Sequence, residues 1–265
     1  MSSEKSTIEV DAVQLYFGEP LKINEYITVY SPTVGDFIRV GESKYFSTLH
    51  SLTAIPSDMK AALWDMGICW MDISDFDFFY LLTRNLSVED TSIFLGDLDL
   101  SKFQFEISDD TKEHYMYQET DDGNFIIIDE DIYNKIIKAL RFIHNIVPKP
   151  EKVKSDSMKE LLVQLNREDI ERSKRESSTS TMLPLISSML NSPGFKYNVF
   201  TIKKITYYAF MDSVRRIPVI TNASAMLSGI YGGWVDTSKL DKETLNWMRD
   251  LDKKINIQKQ NTKKK

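Results

Sequence analysis

A chain of 265 residues with 42% hydrophobic and 27% charged residues has the composition of a folded globular protein, not a disordered one. A net charge of −6 argues against nucleic acid as the main partner, because phosphate binding requires a concentrated positive face. No apolar run approaches the roughly 20 residues that span a bilayer, the opening MSSEKSTIEVDA lacks the apolar stretch of a secretory signal, and Cys69 is the only cysteine; together these predict a cytoplasmic protein without membrane contact or internal disulfide.

The first elements read as extended. Val13, Leu15 and Phe17 alternate with polar residues, Gly18-Glu19-Pro20 supplies a turn, and Tyr26 to Tyr30 is rich in β-formers. Ser31 as cap and Pro32 at the first helical position predict a helix running to about Ala54, with Val34, Phe37, Ile38, Gly41, Tyr45, Leu49 and Leu52 on one face. Shorter helices follow from Pro56 to Met66, from Ser74-Asp75 through Leu82, and from Ser87 to Gly96, where Ser87 and Asp90 have the spacing of a capping box.

Lys102–Ile107, His114–Gln118 and Phe125–Asp129 predict three short antiparallel strands, the last two joined by an Asp121-Asp122-Gly123-Asn124 turn, and forming one sheet with the N-terminal strands. Asp129 to Asn145 is an amphipathic helix with Ile132, Ile136, Leu140 and Ile143 as its stripe. Residues 148–157, proline-bearing and polar, read as a linker. Beyond it the pattern is helical: Met158–Arg175, a loop from Ser173 to Thr181, Met182–Leu190, Val199–Ile217 up to Pro218, Asn222–Ile230, and a last helix from Asp241 to Ile255. The fold class expected is therefore α+β: a mixed domain over residues 1–147 with a small antiparallel sheet and several helices, a linker at 148–157, and an all-helical domain over 158–265.

Charge is distributed unevenly. Residues 85–131 hold 14 Asp and Glu against two Lys, whereas residues 135–175 hold 11 Lys and Arg against six Asp and Glu. Two solvated faces of opposite sign account for this, and so would halves that attract each other or steer partners.

Motifs that carry chemistry are missing. There is no phosphate-binding loop and no dinucleotide fingerprint; Gly229, Gly232 and Gly233 read as a turn between helices. His50, His114 and His144 lack metal-ligand spacing. The carboxylates at Asp72, Asp75 and Asp77 and at Asp97 and Asp99 lack the full calcium-loop pattern and suit turns and caps. No nucleophile–base pair stands out, and Cys69, between Ile68 and Trp70, reads as a small buried hydrophobe. The expectation is a protein that is not an enzyme and uses no cofactor or metal. Trp64, Trp70, Phe76, Phe78, Phe79 and Tyr80 crowd into one stretch, and Tyr207, Tyr208, Phe210, Tyr231 and Trp234 lie in the C-terminal part. Either group could fill a core or anchor a partner.

Thr28-Val-Tyr-Ser-Pro-Thr-Val-Gly-Asp-Phe-Ile38, continuing through Lys44-Tyr-Phe46 to Ile55-Pro-Ser-Asp-Met59, resembles proteins encoded in the tail modules of phages of Gram-positive bacteria. The ending does so too: Arg216-Ile-Pro218, Leu227-Ser-Gly-Ile-Tyr-Gly-Gly233 and Leu245-Asn-Trp-Met-Arg-Asp250. The resemblance is to phage tail assembly chaperones and covers about a third of the chain. It implies a protein partner, the tape-measure protein or another tail protein, kept soluble in the host cytoplasm while the tail tube grows. A structural component of the virion (tail, connector or baseplate) is the alternative. The residues expected to bind the partner are Tyr231, Trp234 and Trp247, grouped around the glycine-rich turn, with Arg215 and Arg216 as charged partners.

Overall fold

A computed structural model describes residues 11–176, 179–235, 240 and 242–251. Helix α1 (Ala12–Phe17) replaces the extended segment expected there. The Asp11 carboxylate accepts from the amides of Val13 at 2.8 Å and Gln14 at 3.2 Å, and Gly18 closes the helix in the left-handed region. The alternation was misleading because Leu15 alone of Val13, Leu15 and Phe17 is buried. Strands β1 (Leu21–Lys22) and β2 (Thr28–Val29) then pair antiparallel as a sheet of their own, Leu21 opposite Val29.

The long helix expected from Ser31 to Ala54 is two helices, α2 (Val34–Val40) and α3 (Glu42–Thr53). Gly41, at φ +89°, makes the break, a backbone conformation that a side-chain-bearing residue rarely adopts. The cap is Thr33, not Ser31: the Thr33 hydroxyl accepts from the Asp36 amide at 3.1 Å, and the Asp36 carboxylate accepts from the Thr33 amide at 3.0 Å. A single helical turn at Pro56–Met59 leads into α4 (Lys60–Asp65). Helices α5 (Asp75–Thr83) and α6 (Val88–Leu95) start at Ser74 and Ser87 as expected, the Asp90 carboxylate accepting from the Ser87 amide at 3.1 Å.

Strands β3 (Gln104–Ile107), β4 (His114–Glu119) and β5 (Phe125–Ile128) make an antiparallel meander, Phe105 opposite Met116 and Met116 opposite Ile128. This sheet is separate from β1–β2, so the single sheet expected is two. Met116 and Ile128 are fully buried and share one core with α7 (Glu130–His144), which is capped by Asp129 and ended by Asn145 in the left-handed region. Tyr133, Ile136, Ile137, Ala139, Leu140 and Ile143 of α7 are buried at the centre of the core.

The C-terminal part is helical: α8 (Asp156–Glu176), α9 (Met182–Leu190), a helical turn at Ile202–Lys204, α10 (Tyr207–Tyr231) and α11 (Lys242–Leu245). Helix α8 extends past Ser173, into the segment expected to be loop. The two helices expected on either side of Pro218 are one, since α10 begins only at Tyr207, capped by Thr206, and passes through the proline. Pro218 has no amide hydrogen to give the Val214 carbonyl, a local loss that a helix bears when both flanks are anchored. Phe210 is fully buried before the proline and Ala223 after it. The last helix expected, from Asp241 to Ile255, is only the single turn α11: the chain leaves the helix after Leu245 and 246–251 are turns and bends, while Asp241 and everything from 252 onward lie outside the described residues.

Packing crosses the 148–157 segment. The main core joins Leu15, Tyr45, Phe94 and α7 to Met182, Met189, Ile205 and Phe210. The start of α10 is stitched to the N-terminal part by backbone bonds: Tyr207 N donates to Pro32 O at 2.7 Å, and Val34 N donates to Ile205 O at 2.9 Å. A second cluster of Ala54, Ala61, Leu63, Trp70 and Phe78 takes in Val163 of α8. The 148–157 segment itself is held at Glu151, whose amide donates to Ser57 Oγ at 3.0 Å and whose carbonyl accepts from Trp70 Nε1 at 3.1 Å. Its carboxylate pairs with the buried Lys60 at 2.8 Å.

Candidate partner-binding surface

The five residues singled out in the sequence fall in two places. At the far end of α10 the chain turns back on itself: Gly232 N donates to Ser228 O at 2.9 Å, Gly233 N to Ile230 O at 3.0 Å, and Trp234 N to Gly229 O at 2.9 Å. This is the hydrogen bonding of a glycine-ended helix. Gly229 is needed for close approach, because a Cβ there would meet Val235 Cγ2 at 2.7 Å. The turn leaves Tyr231 87% and Trp234 88% exposed. Neither ring fills a core, so the packing alternative raised by the sequence does not describe them.

Arg215 and Arg216 sit about 22 Å back along the α10 axis from Tyr231 at 1.5 Å per residue. Arg216 is a clamp for the last described segment: Nη1 donates to the carbonyls of Trp247 at 3.1 Å and Arg249 at 2.7 Å, while Nη2 lies 3.6 Å from Asp212. Arg249 in turn donates to Glu243 O at 2.9 Å. Trp247 therefore belongs with Arg216, not with Trp234; it is 44% exposed, beside Met248 at 73%. Arg215 lies 4.0 Å from Asp212 and lines a groove between α7 and α10.

That groove was not legible in the sequence. It encloses about 520 Å³, with Ile137, Phe142, Ile146, Val147 and Tyr208 as apolar walls and Lys138, Arg141 and Arg215 as basic ones. Arg141 is already engaged, donating to Thr53 O at 2.8 Å and 3.2 Å. The groove's forerunners in sequence are Phe142, an apolar residue of α7 beside its core-facing stripe, and Ile146 and Val147 just past the helix, but only the arrival of α10 makes them a wall.

The titratable groups are explained by structure. His144 Nε2 lies 2.8 Å from the Tyr45 hydroxyl and Nδ1 lies 2.8 Å from Leu140 O, so Nδ1 carries the proton and Nε2 accepts. Burial pushes its pKa down to about 4 against the opposing pull of the Leu140 carbonyl. Burial also raises Tyr45. His114 Nδ1 lies 2.5 Å from Asp77, tying β4 to α5. Among the described residues there is no group of three or more His, Cys, Asp or Glu side chains placed to hold a metal. Among the same residues no helix is long and apolar enough to cross a membrane.

No curated protein and no solved structure matches the chain. Residues 173–252 match the family model described as the YomV second domain. The match spans the end of α8, α9, α10 with its glycine-ended turn, and α11, under a third of the chain. It takes in all five candidate residues, and this segment's similarity to the YomV second domain is consistent with a phage-related protein.

Proposed function

We propose that this chain is a non-enzymatic phage assembly protein that binds another tail protein, the tape measure, through the tip of α10. One observation carries the reading: two large aromatic side chains, Tyr231 and Trp234, stand almost fully in water on a hydrogen-bonded, glycine-ended turn. Exposed Trp and Tyr held on an ordered backbone bury large area on binding at little entropic cost. A tape-measure protein is long, helical and partly apolar, so an aromatic tip that inserts between the apolar rows of a helix suits it. The similarity of residues 173–252 to the YomV second domain supports a phage setting, and the tail-module resemblance narrows that setting to assembly. Trp247 and Met248 extend the apolar surface, and Arg216 contributes by holding Trp247 in place.

Co-expression with the tape-measure protein of the same phage tests this. Truncating Tyr231 and Trp234 to Ala removes little buried area, and at about 25 cal/mol per Å² the loss of stability should stay near 1 kcal/mol. The double variant should keep its melting temperature and lose co-purification of the tape measure. Unaltered protein that neither binds the tape measure nor raises its solubility refutes the reading. Stoichiometric presence in mature particles would favour the structural virion component instead.

A further inference from the structure

The outward face of the three-stranded sheet is another place where large apolar side chains meet solvent. Facing outward are Tyr115 and Tyr117 on β4 and Phe125 and Ile127 on β5, with Phe125 53% and Ile127 46% exposed. The rings touch: Tyr115 and Tyr117 centroids are 5.9 Å apart, and Tyr117 and Phe125 are 6.0 Å apart. Glu106 on β3 orders them, accepting from the Tyr115 hydroxyl at 2.9 Å and the Tyr117 hydroxyl at 2.9 Å. Acid brackets the face at both ends, Asp109 and Asp110 in the β3–β4 turn and Asp121 and Asp122 in the β4–β5 turn. From Gln104 to Asp131 the chain carries ten carboxylates and Lys112 as its one Lys or Arg. Such a face favours an occupant that is basic and carries spaced aliphatic side chains.

The chain contains that occupant. Residues 252–265, DKKINIQKQNTKKK, hold six lysines against one aspartate, with Ile255 and Ile257 alternating with polar residues. We infer that this C-terminal segment docks on the outward face of the β3–β4–β5 sheet of its own molecule, its lysines against the acidic ends and Ile255 and Ile257 against Tyr117 and Phe125. The inference is independent of the role given to Tyr231 and Trp234.

Fourteen residues span at most about 50 Å when extended, and the segment starts from a point fixed by Arg216, which holds the Arg249 carbonyl at 2.7 Å. Next to Arg216, Arg215 lines the α7–α10 groove, which reaches Asn134. Asn134 also lines a cleft with His114 at the start of β4 and Asp129 just past the end of β5. Lys138, Arg141 and Arg215 line the nearer groove and repel a lysine-rich segment, whereas the acidic ends of the sheet attract it.

Zero-length carbodiimide cross-linking of the full chain, read by mass spectrometry, tests this directly. The expected result is amide links from Lys253, Lys254 or Lys259 to Glu106, Glu119 or the turn aspartates, within monomers. The yield should fall several-fold as salt shortens the screening length from about 30 Å at 0.01 M to about 3 Å at 1 M. Replacing Tyr117 and Phe125 together by Ala should also lower the yield several-fold. Should that variant melt early, Glu106→Gln with Glu119→Gln keeps the shape and should lower links to Asp121 and Asp122 instead. Links scattered over carboxylates of the whole chain, links formed only between copies, or a yield unchanged when the aromatic face is removed would each overturn the inference.

Discussion

Glu42, on the first turn of α3, caps a helix well over a hundred residues further along. Its Oε1 accepts from Thr181 N at 2.8 Å, Thr181 Oγ1 at 2.6 Å and Met182 N at 3.2 Å, and its Oε2 accepts from Ser180 Oγ at 2.5 Å. Thr181, the residue before α9, makes no side-chain cap bond of its own, and beside the local bond from Leu183 N to Ser180 Oγ at 2.9 Å this carboxylate adds a cap from a distance. Glu42→Ala removes all four bonds. An N-cap is worth roughly 0.5–2 kcal/mol and a hydrogen bond to a charged acceptor roughly 1.5–3 kcal/mol. Because Thr181 is exposed, water recovers part of this, and the expected loss is about 1–3 kcal/mol. For a chain of this size that lowers the melting temperature by about 3–9 °C. The pH dependence carries a sign. Burial raises the Glu42 pKa, but the bonds from Ser180, Thr181 and Met182 outweigh it and the net shift is downward. A carboxylate with a lowered folded pKa gives stability that is complete above the ordinary Glu range and is lost as pH falls through the folded value. Thermal melts followed by circular dichroism from neutral to acid pH should show the Ala variant destabilised at neutral pH and converging on the unaltered protein in acid. A neutral-pH melting temperature within about 1 °C of the unaltered protein would refute the idea that Glu42 joins α3 to α9.

His144 carries the opposite chemistry with the same sign: it is buried neutral, with its pKa lowered from 6.5 to about 4, so stability should fall as pH drops between those values. Denaturation midpoints measured across that window should flatten in His144→Gln. Phe210→Ala opens a cavity at a fully buried site packed against Phe195 and should cost about 3–5 kcal/mol. Since Phe210 shares one core with Leu15, Tyr45 and Phe94, urea transitions followed by tryptophan fluorescence and by circular dichroism should coincide in that variant; separate transitions would show that the two parts unfold independently.

Local signals carried the α+β class and most element positions. Ser74, Ser87 and Asp129 stand at true helix starts, and the turn around Gly123 joins β4 to β5, because caps and hairpins are satisfied by residues within four positions of each other. The 3.6-residue stripe of α7 was equally legible, since a central helix must bury one continuous face. The glycine-rich run likewise marked the end of α10, where Tyr231 and Trp234 stand exposed.

What neighbours in space decide was hidden. Val13-Leu15-Phe17 follows a strand pattern, yet Asp11 and Gly18 cap it as a helix in which Leu15 alone meets the core. Pro218 looks like a helix end, but packing on both flanks of α10 outweighs one missing hydrogen bond. The polar 148–157 segment looks like a linker, whereas Ser57, Trp70 and Lys60 bind Glu151 and pin it. Arg215 and Arg216 adjoin the aromatic tip in the sequence reading but lie four helical turns from it, one lining a groove and the other clamping the Trp247 backbone. Periodicity and capping are properties of a few consecutive residues, so the sequence determined them alone; exposure, long-range capping and the meeting of α7 with α10 depend on which distant surfaces touch, and the tertiary structure alone decided those.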